Sequence, residues 1–78
     1  MPRARRDMRR IDAASSARIV RAVLRLAATG QGDVKRLQGA AEPEHRLRVG
    51  DWRVRLLLDH AAGRIVVLRV LPRGQAYR

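Results

Sequence analysis

Glu44-His45-Arg46-Leu47-Arg48-Val49-Gly50-Asp51-Trp52-Arg53-Val54-Arg55-Leu56-Leu57-Leu58-Asp59 alternates polar and apolar residues on both sides of a Gly-Asp pair. Alternation with period two marks a strand with one face buried, and two such runs around Gly-Asp predict a β-hairpin. With Gly50-Asp51 as a two-residue turn, Val49 faces Trp52, Arg48 faces Arg53, Leu47 faces Val54 and Arg46 faces Arg55. Cross-strand partners share a face. Leu47, Val49, Trp52, Val54, Leu56 and Leu58 therefore line one side, and Arg46, Arg48, Arg53 and Arg55 the other. Like charges directly opposite one another destabilise a hairpin. Four guanidinium groups in a patch two strands wide call for an anion.

The rest of the chain supports that reading. It has 78 residues, with 18 Lys and Arg against 7 Asp and Glu, a formal charge of +11. Lys35 is the only lysine, so the positive charge is almost all arginine. Such an excess points to a polyanion, either nucleic acid or an acidic protein. The preference for Arg over Lys fits bidentate phosphate recognition, but a GC-rich genome is the simpler source of that ratio, though not of the net charge. Residues 1–78 are read as a single small domain, which buries roughly 60% of its unfolded surface. No cysteine is present, which excludes disulfides and thiolate zinc sites and makes a reducing cytoplasm the expected location. No apolar run is long enough to span a membrane, and no apolar segment follows the basic N-terminus as in a secretory signal. Trp52 and Tyr77 are the only aromatics, too few for a base-stacking platform.

Upstream of the hairpin, residues 2–11 are expected to form a short helix. Pro2 suits its first turn, and Ala4, Met8 and Ile11 fall on one stripe. Arg3, Arg5, Arg6, Arg9 and Arg10 cover the remainder, offset only by Asp7; this is a solvated face, a wider phosphate-binding surface or a dock for an acidic partner. Asp12 is the expected N-cap of a second helix running to about Ala28, with Ser15 or Ser16 as later candidates. Ile19, Val20, Val23, Leu24, Leu26 and Ala27 form its apolar face, with Arg18, Arg21 and Arg25 opposite. Thr29 to Asp33 ends it. The tight connection predicts an antiparallel helical hairpin. Val34 to Leu37 reads as a short extended or turn-like segment, and Ala40 to Pro43 as a loop. Past the arginine hairpin, His60 to Gly63 forms a turn. The strand 64–71 is apolar on both faces apart from Arg69, which places it inside the sheet. The expected class is α+β: an N-terminal helical hairpin packed on one face of an antiparallel three-stranded β-meander, with the arginine face open to solvent.

At this point the chain resembles the RelE/ParE toxins of bacterial type II toxin–antitoxin systems. The resemblance runs from about Pro2 to Arg78. It is carried by Val34-Lys35-Arg36-Leu37-Gln38-Gly39, by Arg46 to Val54, by Ile65 to Val70, and by the Arg73…Tyr77-Arg78 ending, in that order behind a basic helical hairpin. It implies a microbial-ribonuclease-like fold that works without metal or cofactor. It also implies a cognate acidic antitoxin that wraps the toxin. The RelE-like branch cuts mRNA in the ribosomal A site and so inhibits translation; the ParE-like branch poisons DNA gyrase. The family's catalytic residues correspond to Arg48, Arg53, Arg73 and Tyr77, and Arg46, Arg48, Arg53, Arg55, Lys35 and Arg36 would contact nucleic acid.

Metal-free RNA cleavage uses the substrate's own 2′-hydroxyl as nucleophile. The protein must stabilise charge on the phosphorane and on the leaving 5′-oxygen, which converging guanidiniums do. Arg48 and Arg53 take the phosphate in this reading, Arg73 the leaving group, Arg46 the backbone, and Tyr77 a base or the 2′-hydroxyl. The sequence also departs from the family. Arg46 and Arg48 stand where Lys is frequent, and Arg, unlike Lys, does not serve as a base. His45 falls on the Leu47 side of its strand, and His60 in a turn. Pro72 and Gly74 flank Arg73 where His and a charged residue are common. A gyrase inhibitor and a non-catalytic nucleic-acid-binding relative therefore stay open beside the nuclease. The family's opening strand has no counterpart ahead of the first helix. The outer edge of strand 64–71 would then be open to a second copy or to an antitoxin strand.

Overall fold

A computed structural model describes residues 2–37, 44–59 and 61–74. Residues 38–43, His60 and Tyr77 lie outside the described residues. Helix α1 is Pro2–Arg9 and α2 is Ala13–Thr29; the strands are β1 Asp33–Arg36, β2 Glu44–Val49, β3 Trp52–Asp59 and β4 Arg64–Pro72. Asp12 caps α2, its carboxylate accepting from the Ser15 amide at 2.9 Å. Gly30 ends the helix at φ +73, its N–H returning to the Leu26 carbonyl, a left-handed closure that costs a residue with a Cβ roughly 1 kcal/mol.

The arginine hairpin has the expected register: Val49 opposite Trp52, Arg48 opposite Arg53, Leu47 opposite Val54 and Arg46 opposite Arg55. Gly50 alone in the turn takes a positive φ, +58, as the first position of a II′ turn requires. Leu47, Val49, Val54 and Leu56 are buried on one face, where Ile19 and Leu26 of α2 meet them. The core is this aliphatic layer, with Trp52, Leu58 and Ile65 half-buried at its margin.

Two expectations are corrected. The sheet has four strands, not three, in the order β1-β2-β3-β4. The segment from Asp33 to Arg36 pairs antiparallel with β2, and four residues are too few to show their alternation in the sequence. Strand β4, expected inside the sheet, stands at its edge. Its two apolar faces have another cause. The β3–β4 register slips between Arg55 and Leu56, so that Arg55 faces Arg69 but Leu56 faces Val67. Leu68 is the extra residue of a bulge, which swaps the face presented by residues 64–67. Val70, Val67 and Ile65 reach the core side, where simple alternation from Val70 would have sent Leu68 and Val66.

The helices also divide their work. Helix α1 packs chiefly on β4 and α2 on β2. A groove of about 500 Å³ runs between them, lined by Met8, Arg5 and Arg9 on one side and Val20, Val23 and Leu24 on the other. The close helical hairpin expected from the short connection is thus opened by the sheet beneath it. Asp7 fastens α1 to the edge. Its carboxylate accepts from the Val70 amide at 2.8 Å and from Arg69 Nε and Nη2 at 2.8 and 3.1 Å. The outer edge of β4 is therefore capped at Val70 by a side chain, a common device against strand pairing.

Candidate nucleic-acid interface

Register puts Asp33, Lys35, Glu44, Arg46, Arg48, Arg53, Arg55 and Arg69 on the sheet face away from the core. Arg36 pairs with His45 and shares the opposite face. Those two residues line a separate cavity of about 580 Å³ with Asp59 and Arg64, near the end of α2. Of the residues expected to contact nucleic acid, Arg36 is thus set apart from the others. His45 Nδ1 is buried there without a hydrogen-bond partner, remote from the arginine face.

Two of the four hairpin arginines have partners of their own among the described residues, and two do not. Arg55 forms an ion pair with Glu44, with Nε donating at 3.0 Å and Nη2 contacting the same oxygen. The register makes this pair legible, because Glu44 is a diagonal neighbour of Arg55 on one face. Sequence reading missed it and took Arg55 for a free charge. Arg53 is only 5% exposed. Its Nη1 donates to the carbonyl oxygens of Gly50 at 2.9 Å and Trp52 at 3.1 Å, so the guanidinium clamps the turn. This corrects the expectation that the whole arginine face lies open. Arg46 is half-buried, with its Nε shielded and unpartnered. Arg48 is exposed. Neither Arg46 nor Arg48 forms an ion pair among the described residues. The anion that the sequence called for is therefore owed to two guanidiniums rather than four.

Arg73 joins them from the far end of the chain. Its amide donates to the Asp51 carbonyl at 2.8 Å, and Trp52 faces Pro72. The exit of β4 is pinned to the β2–β3 turn, so Arg48, Arg53 and Arg73 gather at one end of the sheet.

Asp7 is the other carboxylate that the arginines organise. Burial works against its ionisation, but hydrogen bonds from Arg69 and the Val70 amide, with the charges of Arg69 and Arg10, outweigh it and hold the carboxyl below its usual range. Asp12 is lowered as well, by the Ser15 amide and hydroxyl at the helix N-terminus. Among the described residues, no helix is long and apolar enough to cross a membrane.

The architecture has solved counterparts. The chain is similar to one in the crystal structure of the archaeal RelE–RelB complex from Pyrococcus horikoshii OT3. The TM-score is 0.75 at 24% identity, over 94% of this chain and 89% of that one. It is also similar to a chain of the RelB–RelE antitoxin–toxin complex from Methanococcus jannaschii, with TM-score 0.72 at 20% identity, over 95% and 88%. No protein-family model matches the chain, and a search of curated proteins finds no match. The molecule thus has a RelE-like α+β fold. The likeness reaches across almost the whole chain, and α1 is seated beside β4 within it.

Proposed function

We propose that this chain is the toxin of a toxin–antitoxin pair and a metal-independent, ribosome-dependent mRNA endoribonuclease. The observation that carries the reading is the convergence of Arg48 and Arg73 at one turn. The Arg73 amide to Asp51 carbonyl bond pins the backbone at Arg73 to the turn that follows Arg48, 25 positions earlier in the sequence. The fold shared with chains of two RelE–RelB complexes supports the toxin assignment, and with the charge of +11 it supports an acidic antitoxin as partner.

In the proposed reaction the substrate's 2′-hydroxyl oxygen attacks the adjacent phosphorus. The 2′-hydroxyl proton passes to solvent water as the O2′–P bond forms, the P–O5′ bond breaks to leave a 2′,3′-cyclic phosphate, and the leaving O5′ takes a proton from water. Arg48 stabilises the added charge on the phosphoryl oxygens, and Arg73 the leaving oxygen. Arg46 positions the backbone. Arg53 fixes the turn carrying this group and adds its charge. Tyr77 stacks on a base or orients the 2′-hydroxyl.

Inducible expression of the chain, of Arg48→Ala and of Arg73→Ala tests this, with translation followed by radiolabel incorporation and cleavage by primer extension. Arrest with mapped mRNA cuts, reduced roughly 10²-fold or more by either substitution, is the expected result. Filamentation with DNA damage would assign the chain to gyrase inhibition instead. Normal growth with the unmodified chain would sink both toxin readings. A second reading, a nucleic-acid-binding protein that does not cut, draws on the placement of His45, which lies on the other face from Arg48. RNA binding without cleavage in the same assays would select it.

A further inference from the structure

The two margins of α2 differ. Val20 and Leu24, 46% and 62% exposed, border the apolar groove toward α1. Arg18, Arg21 and Arg25 occupy the other margin, at spacings of three and four residues, and all three are exposed. None of them forms an ion pair among the described residues. Like charges at these spacings weaken a helix, so the stripe is a burden on the fold alone.

These arginines and Arg48 line one open cleft of about 520 Å³ beside the β2–β3 turn. Two contacts shape it. The Arg18 guanidinium lies over Gly50, with Nη2 only 3.1 Å from where a Cβ would stand. Arg25 Nη2 donates to Gln31 Oε1 at 2.9 Å, which holds its guanidinium at the helix end. Asp33 is the one carboxylate on the lining. It sits opposite Arg48 in the β1–β2 register and leaves the charge of the cleft strongly positive. Because Arg48 also belongs to the sheet face, the cleft continues that face around the turn.

We propose that Arg18, Arg21 and Arg25, with Arg48, form a second phosphate-binding surface that takes the sugar-phosphate backbone of an RNA extending beyond the sheet face. The inference rests on the RNA-binding reading above. The occupant follows from what the cleft lacks. Its apolar lining is Ala22, Leu47 and Val49, of which the last two are buried. A protein partner anchors on exposed apolar or aromatic side chains, and on α2 those lie at the opposite margin. A phosphate backbone needs only cations and hydrogen-bond donors. The stripe spans about 10 Å of helix, enough to meet successive phosphates of one strand.

Fluorescence anisotropy with a labelled 20-nucleotide oligouridylate, over a range of salt, tests the proposal on the purified chain. The triple variant Arg18→Gln/Arg21→Gln/Arg25→Gln is expected to lose at least tenfold in affinity, with the log–log salt slope falling by about 2. The Arg→Lys triple variant should keep most of the affinity. A matched variant, Arg3→Gln/Arg6→Gln/Arg9→Gln, removes the same charge from α1 and should lose less than threefold. Circular dichroism should show the α2 Gln variant melting no lower than the unmodified chain. Unchanged RNA affinity in the α2 Gln variant, or equal losses in the α1 and α2 Gln variants, would overturn the surface while leaving the RNA reading intact. So would a loss confined to binding of poly-glutamate. Failure of the unmodified chain to bind RNA would overturn both.

Discussion

Arg53 and Arg48 face each other across the hairpin, yet their substitution should have different consequences. Arg53→Ala removes two hydrogen bonds to turn carbonyls from a nearly buried site. It should lower the unfolding free energy by about 1–3 kcal/mol, measured by urea denaturation. Arg48→Ala removes an exposed side chain that has no ion-pair partner among the described residues and should change stability by less than ~0.5 kcal/mol. A loss of activity in Arg48→Ala therefore reports on the phosphate, whereas in Arg53→Ala it would mix function with folding. Asp7 carries a pH signature. Its folded-state pKa lies below its ordinary value, so its stabilisation is complete above the ordinary carboxylate range and is lost as pH falls through the folded value. Asp7→Asn should be about 1–2 kcal/mol less stable than the unmodified chain at neutral pH. The gap should close progressively below about pH 4; a gap constant from pH 7 to pH 2 would reject the role of the charge. Asp7 was visible in the sequence as the lone acid among five arginines. Its partners were not, because Arg69 and Val70 lie more than sixty residues away and nothing in the spacing joins them.

At the scale of the element, the arginine hairpin was legible because three signals agree: period-two alternation, a Gly-led turn, and matching side chains across the register. Helix α2 was legible through its apolar periodicity and the Asp12 cap. Strand β4 was legible as a strand but not in its position. With Leu, Ile and Val on both faces, alternation cannot fix which residues point inward, and the bulge at Leu68 leaves no mark in such a run. The turn glycines make the element-scale prediction. Gly30→Ala meets nothing within 4 Å, so its cost should be the left-handed backbone alone, about 1 kcal/mol. Gly50→Ala bears at least a similar backbone cost and also presses on the Arg18 guanidinium, which must give by a few tenths of an ångström. It should cost more than Gly30→Ala, and thermal melts of the two variants at low salt make the comparison.

For the whole molecule, charge and edge protection act together. At +11, copies of the chain repel one another, and α1 adds a steric block by lying along β4 with Asp7 on the Val70 amide. The strand pairing expected from the sequence at this edge is obstructed at Val70. Deleting residues 2–10 removes both defences. It takes away five arginines and one aspartate, frees the Val70 N–H, and uncovers Val67 and Val70, which line the α1–α2 groove. An unblocked, apolar edge strand is a template for another chain. The deleted form should associate through β4 in a concentration-dependent way, read as a rise in mass by light scattering. Higher salt should strengthen the association by screening the remaining positive charge. Asp7→Ala, which keeps α1 but frees one edge amide, should associate less. A deleted form that stays monomeric at high salt would show that α1 contributes packing but does not guard the edge.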